Sequence, residues 1–211
     1  MSFQIPKIYP LTDTRLAGFS HREQVSRLID GGARLIQLRE KTGSPARFFL
    51  DVRESIDVAR RTGAKIIVND RVDIALAAKA DGVHLGQNDL PPIEARRLLG
   101  EHAIIGLSTH NEAQLKEAIS LPVDYIAYGP IFPTATKDDP DPVVGLDTLI
   151  QVRKIAGDKH LVAIGGINAE NLRLTIESGA DSVALISELY KYRDRIAEHF
   201  AALTEIANNV K

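Results

Sequence analysis

Eight short segments rich in β-branched and apolar residues recur along the chain, separated by amphipathic helical patterns. Most are continuous apolar runs rather than alternating ones, which is typical of strands buried on both faces of a parallel sheet. The predicted strands cover residues 7–11, 35–39, 65–69, 82–85, 104–108, 125–128, 160–164 and 182–186. Eight strand–helix units in 211 residues match the lower size limit of the (β/α)8 barrel. The sequence therefore predicts an α/β protein with a TIM-barrel fold, formed as a single domain over residues 1–211.

The alternative architecture is a doubly wound open sheet, whose first strand is followed by a Gly-x-Gly-x-x-Gly turn. Here the first predicted strand is followed by Thr-Asp-Thr-Arg at 12–15, so that fingerprint is absent. Helix boundary signals agree with the barrel. Ser20 and Thr109 each precede a glutamate by three residues, as in a capping box, and Ser44 precedes a proline. Glycines that suit a left-handed helix end stand before three strands, at Gly32, Gly63 and Gly179.

The composition of the chain argues against several kinds of binding partner and chemical site. With 26 Lys+Arg against 28 Asp+Glu the formal net charge is -2, which gives no reason to expect nucleic acid or an anionic membrane as partner. The chain contains no cysteine, so disulfides, thiolate metal sites and cysteine nucleophiles are excluded. Its longest apolar run, residues 74–78, is far shorter than the roughly 20 residues that span a bilayer, and residues 1–10 lack a signal-peptide core. We therefore expect a soluble, cytoplasmic protein; no pattern sets its oligomeric state.

In a (β/α)8 barrel the chemistry lies on the loops that follow the strands. Gln37, Arg39 and Lys41 follow the second strand, and strand alternation directs all three to one side. An arginine fork and a lysine point charge suit a multiply charged anion. The alternative is a solvated strand end in which Arg39, Glu40 and Lys41 pair with one another. Three long polar side chains at one strand end favour the anion site.

Two carboxylates follow neighbouring strands. Asp70 comes after the third strand and Asp89 after the fourth. Two protein carboxylates, completed by water and phosphate, are the usual Mg²⁺ arrangement. Alternatively, each aspartate caps the helix that follows it. Their position beside the basic residues favours the metal.

The longest irregular segment, residues 129–145, follows the sixth strand and carries Thr134, Thr136 and Lys137. A connection of this length without periodicity is usually functional. Paired glycines follow the seventh strand and Ser187 follows the eighth, where barrels commonly bind phosphate. Ser108 at the fifth strand is weak evidence by itself. His84 and His110 have no evident carboxylate partner and are predicted to be structural.

Several strings closely resemble thiamine-phosphate synthases. They are Gln-Leu-Arg-Glu-Lys at 37–41, Asn-Asp-Arg at 69–71, Asp-Gly-Val-His-Leu-Gly-Gln at 81–87, Gly-Pro-Ile-Phe-Pro-Thr-x-Thr-Lys at 129–137 and Gly-Gly-Ile at 165–167. The likeness covers nearly the whole chain, and the string at 129–137 is highly specific. The resemblance implies a (β/α)8 barrel that joins a hydroxymethylpyrimidine diphosphate to a thiazole phosphate. It implies thiamine monophosphate and pyrophosphate as products, and Mg²⁺ as the required metal.

The resemblance also implies residue roles. The pyrimidine diphosphate would be bound by Gln37, Arg39, Lys41, Asn69, Ser108 and Lys137. The metal would be bound by Asp70 and Asp89. The thiazole phosphate would be surrounded by Thr134, Thr136, Gly166, Ile186 and Ser187. Arg39, Lys41 and Lys137 would be catalytic, because they would stabilise charge on the departing diphosphate.

Three alternatives have distinct signatures. A thiazole tautomerase-like paralogue would be expected to lose the diphosphate and metal residues, yet Lys41, Asp70, Asp89 and Lys137 are all present. A sugar-phosphate isomerase barrel would need an acid–base pair at the strand ends, and the sequence offers none. A non-catalytic phosphate-binding barrel would not need three cations and two carboxylates. The synthase is the prediction.

Overall fold

The structure, a computed structural model, describes residues 3–136 and 141–210. Eight parallel strands close into a barrel in sequence order, which confirms the predicted fold class. The strands are β1 (Ile8–Thr12), β2 (Leu35–Leu38), β3 (Lys65–Asn69), β4 (Gly82–Leu85), β5 (Ile104–Thr109), β6 (Tyr125–Tyr128), β7 (His160–Ile164) and β8 (Ser182–Leu185). Every predicted strand agrees with the observed one to within one residue at either end.

Helices form the outer layer between the strands. They are α1 (Thr14–Ala17), α2 (His21–Asp30), α3 (Pro45–Arg60), α4 (Val72–Ala78), α5 (Pro92–Leu99), α6 (Glu112–Ile119), α7 (Gly145–Ala156), α8 (Leu172–Glu177) and α9 (Ile196–Asn208). Two short 3₁₀ helices, Ser187–Tyr190 and Arg193–Arg195, follow β8. In the part of the chain that the structure describes, no helix is long and apolar enough to cross a membrane.

Local sequence signals account for most helix ends. The Ser20 hydroxyl accepts from the backbone N–H of Glu23, and the Ser44 hydroxyl caps α3 in the same way. The glycines predicted to end helices adopt the left-handed conformation, with φ of 101° at Gly32, 72° at Gly63 and 109° at Gly179.

The predicted cap at Thr109 is wrong. Thr109 is the last residue of β5, where its buried hydroxyl donates to the carbonyl of Ala127 at 2.9 Å. Asn111 caps α6 instead, by accepting from the backbone N–H of Gln114. The hydrogen bond to the neighbouring strand keeps Thr109 extended and moves the helix start towards the C-terminus.

The core has two layers. One fills the space between the strands and the helices. The other fills the barrel interior and consists of Tyr9, Leu11, Leu35, Ile67, Ile104, Tyr125, Ala127, Val162 and Ala184. Phe3 and Ile5, which precede β1, pack against this inner layer. The inner layer is thus covered at the N-terminal ends of the strands, whereas the C-terminal ends remain open to a cavity.

Three aspartates at the N-terminal ends of the strands repeat one interaction. Each stands immediately before an even-numbered strand and accepts, at 2.8 Å, from the backbone N–H of the second residue of the preceding strand. The pairs are Asp81 with Ile66, Asp124 with Ile105, and Asp181 with Leu161. We call Asp81, Asp124 and Asp181 the strand-entry aspartates. The corresponding residue before β2 is Arg34.

Candidate active site

One cavity of about 560 Å³ lies at the C-terminal ends of the strands. This volume is within the usual range for small-molecule sites. Among its lining residues are all the predicted site residues that the structure describes: Gln37, Arg39, Lys41, Asn69, Asp70, Asp89, Ser108, Thr134, Thr136, Gly166, Ile186 and Ser187. Lys137 lies outside the described residues. Residues from every part of the barrel therefore meet in one place, and the ligand that each binds stays a prediction.

The two basic residues after β2, Arg39 and Lys41, form ion pairs with residues outside the segment 39–41. The Arg39 guanidinium donates to Asp13 at 3.2 Å, and the Lys41 ammonium contacts Asp70 at 2.5 Å. Glu40 accepts from the Thr14 hydroxyl at 2.9 Å and does not pair with either neighbour. The alternative in which this run pairs with itself is therefore wrong.

Glu40 holds the turn that carries Lys41. Its carboxylate accepts from the backbone N–H groups of Thr42 and Gly43 at 2.8 and 3.0 Å. Burial raises the pKa of Glu40, but the hydrogen bonds from the Thr42 and Gly43 backbone and from the threonine hydroxyls outweigh it and lower the pKa to about 2. Glu40 is thus ionised throughout the physiological range.

Neither Asp70 nor Asp89 caps a helix. The residues at the starts of α4 and α5 are Arg71 and Pro91, and neither start has a side-chain cap. The Asp89 carboxylate instead accepts from the backbone N–H of Gly86 at 2.7 Å. Asp70 has a φ of 63°, a conformation that few residues other than glycine adopt and that concentrates at functional sites. The capping alternative is wrong for both aspartates.

The two carboxylates form an anionic pair suited to a cation. Burial raises the pKa of Asp89 above its usual range, and the neighbouring Asp70 carboxylate raises it further. Within residues 3–136 and 141–210 no group of three or more histidine, cysteine or acidic side chains could hold a metal. Two carboxylates nevertheless fit Mg²⁺, which commonly takes one or two from the protein and the remaining ligands from water and phosphate.

The opposite side of the cavity is formed by the turn after β7 and the segment after β6. The backbone N–H groups of Ile131 and Phe132 donate to the carbonyls of Ile164 and Gly165 at 2.9 and 3.0 Å. Gly166 has a φ of 64°, and a Cβ built there would lie 2.4 Å from the carbonyl oxygen of Pro133. The absence of a side chain at Gly166 therefore lets the turn after β7 and the segment after β6 approach each other closely.

Thr134 and Thr136 follow directly from this contact. The Thr134 hydroxyl accepts from the Thr136 backbone N–H at 3.3 Å, and the two hydroxyls lie 3.3 Å apart. Ser187 begins the 3₁₀ helix after β8, in the position expected for a phosphate-binding loop. The two threonines, Gly166 and Ser187 therefore form one polar wall of the cavity.

Three residues that sequence reasoning did not assign to the site also line the cavity: His84, Gln87 and His110. His110 lies 2.7 Å from the carbonyl of Gly129, and the Gln87 amide donates to the carbonyl of Ser108 at 2.6 Å. Burial lowers the pKa of His84 to about 4, so its ring is neutral at pH 7. Its position in the sequence could have identified Gln87, because Gln87 is the second residue after the end of β4.

Comparison with known proteins identifies the family. A family profile described as thiamine monophosphate synthase matches residues 8–189. The chain belongs to the thiamine monophosphate synthase family. A thiamine-phosphate synthase of Koribacter versatilis is 45% identical over 193 residues, which cover 88% of this chain and 90% of that protein. One from Persephonella marina is 43% identical over 203 residues, 96% of each chain.

A solved structure supports the same family assignment. Thiamine phosphate pyrophosphorylase from Pyrococcus furiosus superposes with a TM-score of 0.86 at 33% identity, covering 97% of this chain and 96% of that one. The activity of the chain is therefore that of a thiamine-phosphate synthase, a transferase of thiamine biosynthesis. Neither the tautomerase-like paralogue nor the non-catalytic phosphate-binding barrel is favoured by these relatives.

Proposed function

We propose that the chain joins the pyrimidine diphosphate to the thiazole phosphate within this cavity, and that Mg²⁺ assists the reaction. The observation that carries the proposal is the division of the cavity into two unlike sides. One side has two cations and two carboxylates, from Arg39, Lys41, Asp70 and Asp89; the other has hydroxyl and glycine-rich loops. A diphosphate with a metal fits the first side and a single phosphate fits the second.

The diphosphate is bound by the side chains after β2, β3 and β5. Arg39 and Lys41 supply positive charge, and Asn69 and Ser108 supply uncharged polar groups. Asp70 and Asp89 would hold Mg²⁺, which would neutralise diphosphate charge. Lys41 already contacts Asp70, so the ammonium and the metal-binding carboxylate are adjacent when the substrate arrives. Lys137 is assigned to the same ligand on the evidence of sequence alone.

The reaction is a dissociative substitution. The bond between the pyrimidine methylene carbon and the diphosphate oxygen breaks, and its electron pair leaves with the diphosphate. The thiazole nitrogen then donates its lone pair to that carbon to form the new C–N bond. Arg39 and Lys41 stabilise the growing negative charge, and preorganised charges of this kind provide a large part of catalysis. No proton is removed from the nucleophile, so no general base is needed.

The thiazole phosphate is held on the other side, by Thr134, Thr136, Gly166, Ile186 and Ser187. Its position sets the line of attack, because holding two reactants in line removes much of the entropic cost of their encounter. Thr134 and Thr136 follow a segment whose backbone donates to the carbonyls of Ile164 and Gly165, at the C-terminal end of β7. A cytoplasmic location belongs to the proposal as well.

The test is direct synthesis. Purified protein, both phosphorylated substrates and Mg²⁺ are expected to yield thiamine monophosphate and pyrophosphate, and excess chelator is expected to abolish the yield. Asp89→Asn is expected to raise the Mg²⁺ concentration needed for half-maximal rate at least tenfold, because it removes a charged ligand. Exposed Asp158→Asn serves as the control. Undiminished synthesis with chelator would contradict the metal assignment. Absence of product under all metals, with thiazole phosphate still bound, would contradict the synthase.

A further inference from the structure

Five side chains form a continuous hydrogen-bonded chain across the barrel interior. The Gln37 amide nitrogen lies 3.1 Å from the Tyr9 hydroxyl, which lies 2.9 Å from the Tyr125 hydroxyl. The Tyr125 hydroxyl lies 3.0 Å from His84 Nδ1, and His84 Nε2 lies 2.8 Å from the Ser108 hydroxyl. We call these residues the interior chain. Both of its ends, Gln37 and Ser108, line the cavity.

The barrel provides the space for this arrangement. Gly106 lies opposite Tyr125 in the register of β5 and β6, and a Cβ on Gly106 would lie 2.1 Å from the Tyr125 ring. The His84 ring stacks on Tyr125 with centroids 5.5 Å apart and an interplanar angle of 21°. Tyr9 and Tyr125 are at most 1% exposed. The interior chain is therefore a fixed part of the core that extends to the cavity.

Two directions of donation are chemically possible along the interior chain, because the hydroxyl–hydroxyl and hydroxyl–imidazole contacts leave the donor open. In one of them, Gln37 donates to the Tyr9 oxygen, so the single Tyr9 proton is available for Tyr125. The single Tyr125 proton is then donated to His84 Nδ1. Each hydroxyl can donate only one proton, and a neutral histidine ring carries one proton on one of its two nitrogens.

The direction continues to the other end. With His84 Nδ1 as acceptor, the proton of the neutral ring is on Nε2 and is donated to the Ser108 oxygen. The ring has hydroxyl groups at both nitrogens. The Ser108 proton is consequently left to point into the cavity.

The Gln37 end of the interior chain offers a hydrogen-bond acceptor, in contrast to the donor at Ser108. Gln37 is 2% exposed, and its amide oxygen has no hydrogen-bond partner among the described residues. A buried acceptor without a partner is destabilising, so a hydrogen-bond donor on a bound ligand would stabilise this oxygen. The cavity therefore presents an acceptor at Gln37 and a donor at Ser108.

We propose that the interior chain fixes this polarity and thereby orients the pyrimidine diphosphate, with Tyr9, Tyr125 and His84 as positioning residues. The inference rests on the proposed assignment of Gln37 and Ser108 to that substrate. The exocyclic amino group of the pyrimidine is its hydrogen-bond donor and matches Gln37. A diphosphate oxygen is an acceptor and matches Ser108.

The reverse direction fits the cavity poorly. It would turn the Gln37 amide nitrogen into the cavity, towards the side that carries Arg39 and Lys41. It would also turn the lone pairs of Ser108 towards the anionic substrate. Both changes place like charges or like partial charges together, whereas the proposed direction places an oxygen near the cations and a proton near the anion.

The first experiment measures the protonated nitrogen of His84 without any substrate. Long-range ¹H–¹⁵N correlation spectra at pH 7 are expected to show that the His84 ring carries its proton on Nε2. The His84 signals are assigned as those that disappear in the His84→Gln variant. Tyr9→Phe is expected to give a mixture of the two forms, because it removes the hydroxyl that connects Gln37 to Tyr125. Tyr125→Phe is expected to give a mixture of both forms. An Nδ1–H ring in the unmodified protein would overturn the proposal, even if a variant failed to fold.

The second experiment separates orientation from stability. Tyr125→Phe is expected to raise the KM for the pyrimidine diphosphate about tenfold, as expected for one weakened hydrogen bond to a charged group, and to change the KM for the thiazole phosphate less than twofold. Tyr128→Phe is the matched control, because Tyr128 is also buried on β6 but packs in the outer layer. A lowered melting temperature with an unchanged KM would reduce Tyr125 to a structural role and overturn the proposal.

Direct titration distinguishes this inference from the proposed function. The Kd of the pyrimidine diphosphate is measured for Ser108→Ala, whether or not the protein makes product. A Kd raised about tenfold, together with Nε2–H in the unmodified protein, supports the inference even if synthesis fails. An unchanged Kd would show that Ser108 does not contact this substrate and would overturn the inference, although synthesis itself succeeded.

Discussion

At the residue scale, Glu40 shows how a side chain outside the cavity lining controls those within it. It stands between two predicted diphosphate ligands but turns away from both. Its carboxylate instead closes the turn at Thr42 and Gly43 and contacts Thr14 after β1. The sequence alone could not separate Glu40 from its neighbours, because a run of alternating charges also suits mutual pairing.

The lowered pKa of Glu40 has a consequence for stability. Its folded-state pKa of about 2 lies below the ordinary value of 4.5, so ionised Glu40 stabilises the fold above about pH 4.5, and this contribution is lost as the pH falls towards 2. Glu40→Gln is expected to reduce the free energy of unfolding at pH 7 by about 2 kcal/mol and to weaken its dependence on pH between 4.5 and 3. Urea unfolding at pH 7, 4.5 and 3 measures both effects. Exposed Glu54→Gln is the control; equal pH profiles for the two variants would contradict the prediction.

Lys137 carries a second prediction at this scale, which rests on the sequence string at 129–137. We assign Lys137 to the departing diphosphate from the sequence string alone, and on that assignment Lys137→Ala is expected to lower kcat by roughly 10²–10³. Lys137→Arg is expected to be partly active, since arginine keeps the charge and changes the geometry. Single-turnover rates separate the chemical step from product release. If Lys137→Ala raised KM alone, the residue would bind the ground state and the transition state alike.

At the scale of elements, the turn after β7 and the segment after β6 act as one unit. A side chain at Gly166 would collide with Pro133 and with Phe132, 2.4 and 2.7 Å from its Cβ. Any such side chain would displace the segment that leads to Thr134. The thiazole phosphate side of the cavity therefore depends on a backbone contact as well as on its own side chains.

Gly166→Ala is expected to weaken thiazole phosphate binding at least tenfold and to leave pyrimidine diphosphate binding within twofold. Gly63→Ala is the matched control, because Gly63 has a similar φ of 72° but open space around it. Both variants incur the same backbone strain, so any difference between them reports the collision. Ser187→Ala is expected to show the same selectivity. Calorimetric titration of each ligand measures it; equal losses for both ligands would contradict the assignment of two sides.

The strands could be predicted from the sequence, whereas one helix cap and the hydrogen-bonded chain inside the barrel could not. A strand buried on both faces has to be a continuous apolar run, and β3, β4, β6 and β7 were predicted with their observed bounds. The cap of α6 was wrongly predicted at Thr109 instead of Asn111, because a hydrogen bond to the next strand keeps Thr109 extended. The interior chain could not be foreseen, because Tyr9 and Tyr125 are 116 residues apart and meet only when the barrel closes.

At the scale of the whole molecule, the two ends of the barrel have different tasks. The cavity occupies the C-terminal ends of the strands, and the strand-entry aspartates occupy the N-terminal ends. Residues at the N-terminal face of such barrels contribute to stability and those at the opposite face to catalysis. Asp124 also accepts from the Arg96 guanidinium at 2.8 Å, which ties α5 to the same point.

Asp124→Ala is therefore expected to lower the free energy of unfolding by about 2–3 kcal/mol, the range for losing a hydrogen bond to a charged group. Its kcat and both KM values are expected to stay within twofold of the unmodified protein. Urea unfolding and steady-state assays measure the two effects, and exposed Asp158→Ala is the control. A loss of activity at full stability would show that this end of the barrel reaches the site.

The strand-entry aspartates also divide the chain into blocks that can be exchanged between relatives. Each aspartate and the N–H group that it binds belong to one pair of consecutive strands: β3 with β4, β5 with β6, and β7 with β8. A chimera with a relative at 43–45% identity keeps each donor and acceptor from a single parent when its crossover lies between pairs, as at the start of α5, before Arg96. A crossover within residues 106–123 would take the donor, Ile105, from one parent and the acceptor, Asp124, from the other. Recombination of this barrel should therefore be planned in units of two strands and two helices.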